Sequence, residues 1–259
     1  MNAVASFTRE TFAIADAEVR KIARDPSELL SRAVQPVLWL AVFGQVFGRI
    51  RAMPTGPLRY LDFMAPGILA QSILFSAIFY GIAVIWERDL GIVHKILVTP
   101  AHRSALVTGK AVAAGLRGLV QAAVVYAVAA LLGVGIRWSP GAIALVVLAV
   151  FVGSCVFSTF SLLIACVVKT RERFMGIGQL LTMPLFFASN AIYPLDMMPG
   201  WLRAIAHANP LTYLVDLLRG AMVVGAASVY PPAASVGVLL SVFVALLALA
   251  SRAYPGLAR

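Results

Sequence analysis

The sequence predicts an all-α membrane protein with six transmembrane helices, and three observations point there. The chain is 61% hydrophobic and only 12% charged, whereas a soluble domain carries about 25% charged residues. Its apolar residues gather into six stretches, each near the ~20 residues that cross a bilayer. A polar segment, from Glu87-Arg88 through Thr99-Pro100 to Gly109-Lys110, separates the second stretch from the third. The formal net charge is +10. The basic residues flank apolar runs, as headgroups and the positive-inside bias favour, so nucleic acid is not an expected partner.

Residues 1–32 do not read as a span. At 100° per residue Val4, Phe7, Ile14, Val19 and Ile22 share one broad face, and Arg9, Asp16, Arg20 and Arg24 share the other. Glu18 and Asp25 break the pattern. This is the signature of an amphipathic helix in the cytoplasmic interface, ended by Asp25-Pro26. No cleavable signal peptide is expected, because this segment lacks a compact apolar core. Residues 33–259 are read as one transmembrane domain.

The first span is expected at 33–48, short and with Pro36 near its start. The others are expected at 63–86, 111–136, 140–168, 174–193 and 233–250. With both termini cytoplasmic, the inner segments hold 14 Lys and Arg residues against six outside, the bias expected of a multi-pass protein of the inner (cytoplasmic) membrane. Cys155 and Cys166 lie eleven residues apart on one predicted helix, too far for a bridge. They read as packing residues.

The stretch 194–232 is too polar to span and too apolar for a plain loop. Asn209-Pro210 has the form of a helix cap followed by proline at the first helical position. A helix from Pro210 to about Val224 places Asp216 and Arg219 on neighbouring positions. Such a helix before the sixth span suggests a re-entrant pair capping the outer mouth, which is tolerated where protein or water covers the backbone. Tyr193, Trp201 and Tyr213 would then sit near the headgroups, and Asp216 would need Arg219 or a backbone donor.

The sequence offers little for catalysis. Gly109-Lys110 approaches a phosphate loop, but position 104 is serine and no Ser or Thr follows. His94, His102 and His207 show no metal-ligand spacing, so no metal site is expected. No chain of intramembrane acids suggests a proton relay, which disfavours a secondary transporter. Arg117 is the one charge inside a predicted span. Two readings remain for it: snorkelling to the cytoplasmic interface, or lining the bundle with Gln121 one turn on. Ala114, Gly118 and Ala122 form a stripe suited to close helix packing. Trp39, Phe43 and Phe47 recur every four residues, as a packing seam or as the lining of an apolar route.

The loop 87–110 carries both signs of charge and an apolar patch of Ile92, Val93, Ile96 and Leu97. A short amphipathic helix there is either interfacial or a coupling helix seated in a soluble motor protein.

At these positions the chain resembles the permease subunits of type-2 ATP-binding-cassette exporters, a family that includes drug-resistance, nodulation-factor and polysaccharide export permeases. Three passages carry the resemblance. The first is Tyr60-Leu61-Asp62-Phe63-Met64-Ala65-Pro66-Gly67-Ile68. The second is Glu87-Arg88-x-x-Gly91, with Leu97-Val98-Thr99-Pro100-x-x-Arg103 and Gly109-Lys110. The third is Tyr193-Pro194, Met198-Pro199-x-Trp201-Leu202 and Asn209-Pro210-Leu211-Thr212-Tyr213-x-x-Asp216-x-x-Arg219. Together they cover about residues 10 to 250. The family often has a glutamate before the Leu-Leu of the coupling segment, where this chain has His94-Lys95-Ile96-Leu97.

The resemblance implies half of the membrane part of an exporter. Its partners would be two ATPase subunits, which carry the ATP and Mg, and a second permease copy or related chain; this chain would hold no cofactor and catalyse nothing. Glu87, Arg88, Gly91, His94, Lys95, Thr99, Pro100 and Arg103 would contact the ATPase. Trp39, Phe43, Arg117, Gln121, Asn190 and Tyr193 are candidates for the route. Trp201, Asn209, Pro210, Tyr213, Asp216 and Arg219 belong to the outer segment. The scarcity of intramembrane charge points to an amphipathic substrate: a lipid, lipid-linked glycan or hydrophobic drug. The rival readings are a non-transporting membrane anchor and, less favoured, a secondary transporter.

Overall fold

The computed structural model describes residues 3–24, 34–50, 56–97, 102–168 and 170–258. Among them the chain is almost wholly helical, with no strand and one isolated bridge, between Ile136 and Val223. Four helices are long and apolar enough to cross a membrane: α3 (Tyr60–Asp89), α5 (Arg103–Leu131), α6 (Pro140–Val167) and α10 (Pro232–Ala253). Shorter pieces complete the chain: α1 (Ala3–Arg24), α2 (34–50), α4 (Ile92–Leu97), α7 (Arg171–Phe187), α8 (Gly200–Ala208) and α9 (Pro210–Met222). The middle of α2, Trp39–Phe43, is wound as a π-helix, and the Trp39 and Phe43 rings stack at 4.4 Å.

α6 is the centre, packed against α3, α5, α9 and α10. Ser139 caps it, its hydroxyl accepting from the Ala142 N–H at 3.4 Å, and Pro140 occupies the first position. Lipid is as apolar as leucine, so helix association here depends on close fit. The predicted small-residue stripe supplies that fit: Gly118 of α5 lies so near Ser154 of α6 that an added Cβ would overlap the serine hydroxyl.

α1 is not bedded only in an interface. It packs along the start of α5. A Cβ at Gly109 would come within 2.8 Å of Ile14 and 2.9 Å of the Thr11 carbonyl, so glycine permits the crossing. Phe7 is half-buried, while Arg9 and Arg20 are exposed. Arg20 pairs with Asp16 at 2.9 Å. Glu18, a break in the sequence pattern, lies on the buried face. The side chains of Val4, Val19, Ile22 and Arg24 lie outside the described residues, as do Asp25 and Pro26.

Two predicted spans are corrected. The third was expected to reach Ile136, but α5 ends at Leu131. Gly133 turns the chain at φ 76°, and the following residues bond to the end of α9: the Arg137 N–H donates to the Met222 carbonyl at 2.8 Å and the Val224 N–H to that of Gly135 at 2.8 Å. The fifth was expected at 174–193, but α7 starts at Arg171, where Thr170 caps it, and stops at Phe187. Residues 188–191 form a turn, with the Ser189 hydroxyl donating to the Phe186 carbonyl at 2.6 Å.

Candidate functional site

At the end of the bundle that carries α1, the last turn of α3 holds Glu87, Arg88 and Asp89. Gly91, at φ 71°, reverses the chain into α4. Of the predicted apolar patch on α4, Ile92 and Val93 are described, and they part ways. Val93 is fully buried among Tyr80, Val84, Leu106 and Tyr254, while Ile92 and Leu90 are exposed. Lys95 and Arg103 are exposed, and Arg88 and Gly91 are half-buried. The side chains of His94, Ile96 and Leu97, and all of Thr99 and Pro100, lie outside the described residues.

Glu87 turns inward instead: its carboxylate accepts from Lys110 Nζ at 2.7 Å. The same ammonium reaches Glu18 at 3.2 Å. The loop is tied down at two further places. Glu10 accepts from the His102 backbone N–H at 2.9 Å. Arg171 donates twice to Asp89, at 3.0 and 2.8 Å, with its guanidinium 3.6 Å from the Trp86 ring centroid.

The residues predicted for the route fall in three places. Trp39 and Phe43 border a recess of about 410 Å³, lined also by Val34, Gln35 and Leu38. Beside it, between α2 and α3, a lateral cavity of about 340 Å³ is lined by Gln35, Pro36, Gln71, Ser72, Phe75, Ser76 and Phe79. Arg117 lies behind α3, its guanidinium 5.4 Å from the Tyr80 ring. It borders a water-sized gap between α3, α5 and α6, which also touches Ser76, Ser154 and Ser158. Gln121 is buried, and no hydrogen-bond partner for its amide is found among the described residues. Asn190 is buried with its side-chain amide likewise unpartnered, and the Tyr193 hydroxyl donates to the Phe187 carbonyl.

The segment after α7 is built as a helix pair. Asn209 caps α9, its Oδ1 accepting from the Leu211 N–H at 3.0 Å, and Pro210 opens the helix. Its Nδ2 donates to the carbonyls of Leu185 at 2.6 Å and Ala188 at 3.0 Å. Asp216 and Arg219 do not bond to each other. Asp216 accepts from the backbone N–H groups of Val229 at 2.8 Å and Tyr230 at 2.9 Å. Burial pushes its carboxyl up, and the two backbone donors and Arg219 oppose this. Arg219 donates to the Asn190 carbonyl at 2.6 Å and to that of Phe63 at 3.3 Å, over the Phe63 ring. Burial lowers it to about 10, against the pull of Asp216. Tyr213 donates to the His207 carbonyl at 2.8 Å and packs on Tyr230. Trp201 is exposed.

The model of the ABC-2 type transporter family matches residues 9–223, from α1 to the end of α9. The chain belongs to this family. It is similar to the transport permease ycf38 of Cyanophora paradoxa, 30% identical over 220 residues, 82% of this chain and 74% of that one. It is similar also to the daunorubicin resistance ABC transporter permease protein DrrB1 of Streptomyces coeruleorubidus, 27% identical over 201 residues, covering 76% and 69%. Nodulation protein J of Rhizobium leguminosarum bv. viciae is 26% identical over 198 residues, covering 76% and 75%.

Sequence reasoning missed two groups in this ABC-2 chain. From α3, Gln71, Ser72 and Ser76 give the lateral cavity polar atoms, to which Gln35 of α2 adds its amide. Their signal was present, as three polar residues within one turn and a half of an apolar span. Glu18 stood out only as a broken pattern and Lys110 only in the Gly109-Lys110 pair, and nothing joined them, because the partners are 92 residues apart. Among the described residues no group of His, Cys, Asp and Glu could hold a metal.

Proposed function

We propose that this chain is the membrane half of an ATP-driven exporter of an amphipathic substrate: a lipid, lipid-linked glycan or hydrophobic drug. Six helices span the inner membrane, with α2 and α7 added to the four long ones, and both termini are cytoplasmic. α1 is the cytoplasmic interfacial helix and residues 33–259 form one transmembrane domain. Two separate ATPase subunits bind ATP and Mg and hydrolyse the nucleotide. A second copy or a related chain completes the permease, and lipid surrounds it.

The observation that carries this reading is the 87–110 loop. α4 is anchored to its own bundle through Val93 while Lys95 and Arg103 remain exposed, the form of a rigid foot that a motor subunit grips. Arg88, Gly91, His94, Lys95, Thr99, Pro100 and Arg103 are the residues assigned to the ATPase contact, while Glu87, turned inward to Lys110, leaves that set. The lateral cavity supports the substrate class, since aromatic walls and a few polar atoms suit an amphipathic molecule. Trp39 and Phe43 flank its entrance. Arg117, Gln121, Asn190 and Tyr193 lie deeper or farther out along the path, and the α8–α9 pair, with Trp201, Asn209, Pro210, Tyr213, Asp216 and Arg219, closes its outer mouth. The name of the daunorubicin resistance relative, an ABC transporter permease, agrees with export.

The test is a cross-link from Lys95→Cys to a co-expressed ATP-binding-cassette ATPase, with ATP hydrolysis of the purified complex measured against added lipids and hydrophobic drugs. A cross-link and a stimulated rate are expected. Free labelling of that cysteine by a bulky water-soluble reagent in the complex overturns the coupling site. Hydrolysis indifferent to every lipid and drug leaves a membrane anchor.

A further inference from the structure

The buried contact between α1 and the two ends of the loop is more than the coupling reading requires. Lys110 is 4% exposed, well inside α5. Its ammonium lies 2.7 Å from Glu87 on α3 and 3.2 Å from Glu18 on α1. It is also 5.8 Å from the Tyr80 ring centroid. One cation thus holds three elements. Two other features place the same elements in one body. Gly109, the preceding residue, seats α1 directly on α5. Val93 of α4 packs with Tyr80, Leu106, Val107 and Tyr254, so the α4 foot and the C-terminal turn share the apolar layer beside the ion pairs. A single fit would suffice to fold α1 onto α5. A buried charge with two partners instead fixes a relative position: its desolvation is offset only when both carboxylates are in reach, so small slips are penalised steeply.

We propose that Lys110 is a positioning residue for transport, the pin of a lock through which α1 and both ends of the 87–110 loop move as one body. This rests on the reading that the loop receives the stroke of an ATPase. With the pin in place, a push on α4 is delivered to α1, α3 and α5 together. Without it, the loop yields locally and the stroke is lost before it reaches the spans. Arg117, which also faces Tyr80, stands outside the lock, since no hydrogen bond or ion pair to it is found among the described residues.

The test measures whether two parts of the lock move relative to each other. Spin labels are placed at Ala17→Cys on α1 and Ala83→Cys on α3, both exposed, with Cys155→Ala and Cys166→Ala in the background. The chain is studied in lipid nanodiscs, alone and with its ATPase, before and after trapping with MgATP and vanadate. With Lys110 present a narrow distance distribution is expected, unchanged by trapping. Lys110→Met should broaden it and make it shift on trapping while ATP hydrolysis persists. Lys110→Arg, which keeps the charge, should restore the narrow, unshifted distribution. A Lys110→Met distribution as narrow and as indifferent to trapping as the unmodified one overturns the proposal. So does a shift on trapping when Lys110 is present. If Lys110→Met does not accumulate, Glu18→Gln is read by the same criteria. If no ATPase is retained, the coupling reading fails separately, and the distribution in the chain alone still decides the lock.

Discussion

Asn209 shows how much one side chain can join. It caps α9 with its oxygen and bridges the end of α7 with its nitrogen. Asn209→Ala removes the cap and leaves two buried carbonyls without a donor, and should cost about 2–3 kcal/mol. The measurement is thermal unfolding in detergent. Asn209→Asp separates the two roles: the cap survives, but an anion faces two carbonyl oxygens, so this variant should also melt early. Arg219 works in the same way at greater reach. Arg219→Met removes the donor that ties the Asn190 carbonyl to the start of α3 and should lower the melting point comparably. The Asn209 cap was legible in the sequence because it spans two residues. The partners of Arg219 were not, since neither Phe63 nor Asn190 is close to it along the chain. For Asp216 the sequence leaves Arg219 and a backbone donor open, and nothing in its spacing singles out Val229 and Tyr230.

Among the elements, periodicity predicted α1 well but misjudged one of its residues. Its apolar face was read as meeting lipid, and a helix one turn past a polar loop was not an obvious partner. Gly109→Leu should lift α1 from α5, and Ala15→Cys, buried in the native packing, should then react with a maleimide at a clearly higher rate. Two helices, α8 and α9, do stand before the last long helix, and α9 is buried along nearly its whole length rather than at its middle alone. Single cysteines at Leu214 and Leu217 should resist a membrane-impermeant reagent, and cysteines at Ile205 and Val224 should label. Uniform labelling would mean that α9 lies open to water and caps nothing. Span ends were misread where backbone bonds between loops, and not hydropathy, decide where a helix stops, as beyond Leu131.

For the whole molecule, hydropathy identified the class because each apolar stretch carries its own signal. It could not rank them. α6 and α10 have the same mean hydropathy of 2.5 in their most apolar windows, yet those windows are 61% and 17% buried. α10, and α7 with Leu180 and Leu181, keep an exposed apolar flank. Leu180→Cys should give oxidative dimers if α7 lies at the two-fold contact, visible as a doubled mass on a non-reducing gel. Equal dimer yield from Val244→Cys on α10 would make such cross-links uninformative collisions and reject α7 as the contact.

The carbonyls that hold Arg219 have a further consequence, for biosynthesis. They belong to Phe63 and Asn190, made 156 and 29 residues earlier. A nascent chain inserting its helices in order makes both oxygens before the guanidinium that joins them leaves the ribosome. Until α9 arrives, the start of α3 and the turn at Asn190 form a notch without the cation that joins them. A chain stalled before residue 219 keeps that notch open, so its survival time in the cell should report how long this half-built state lasts.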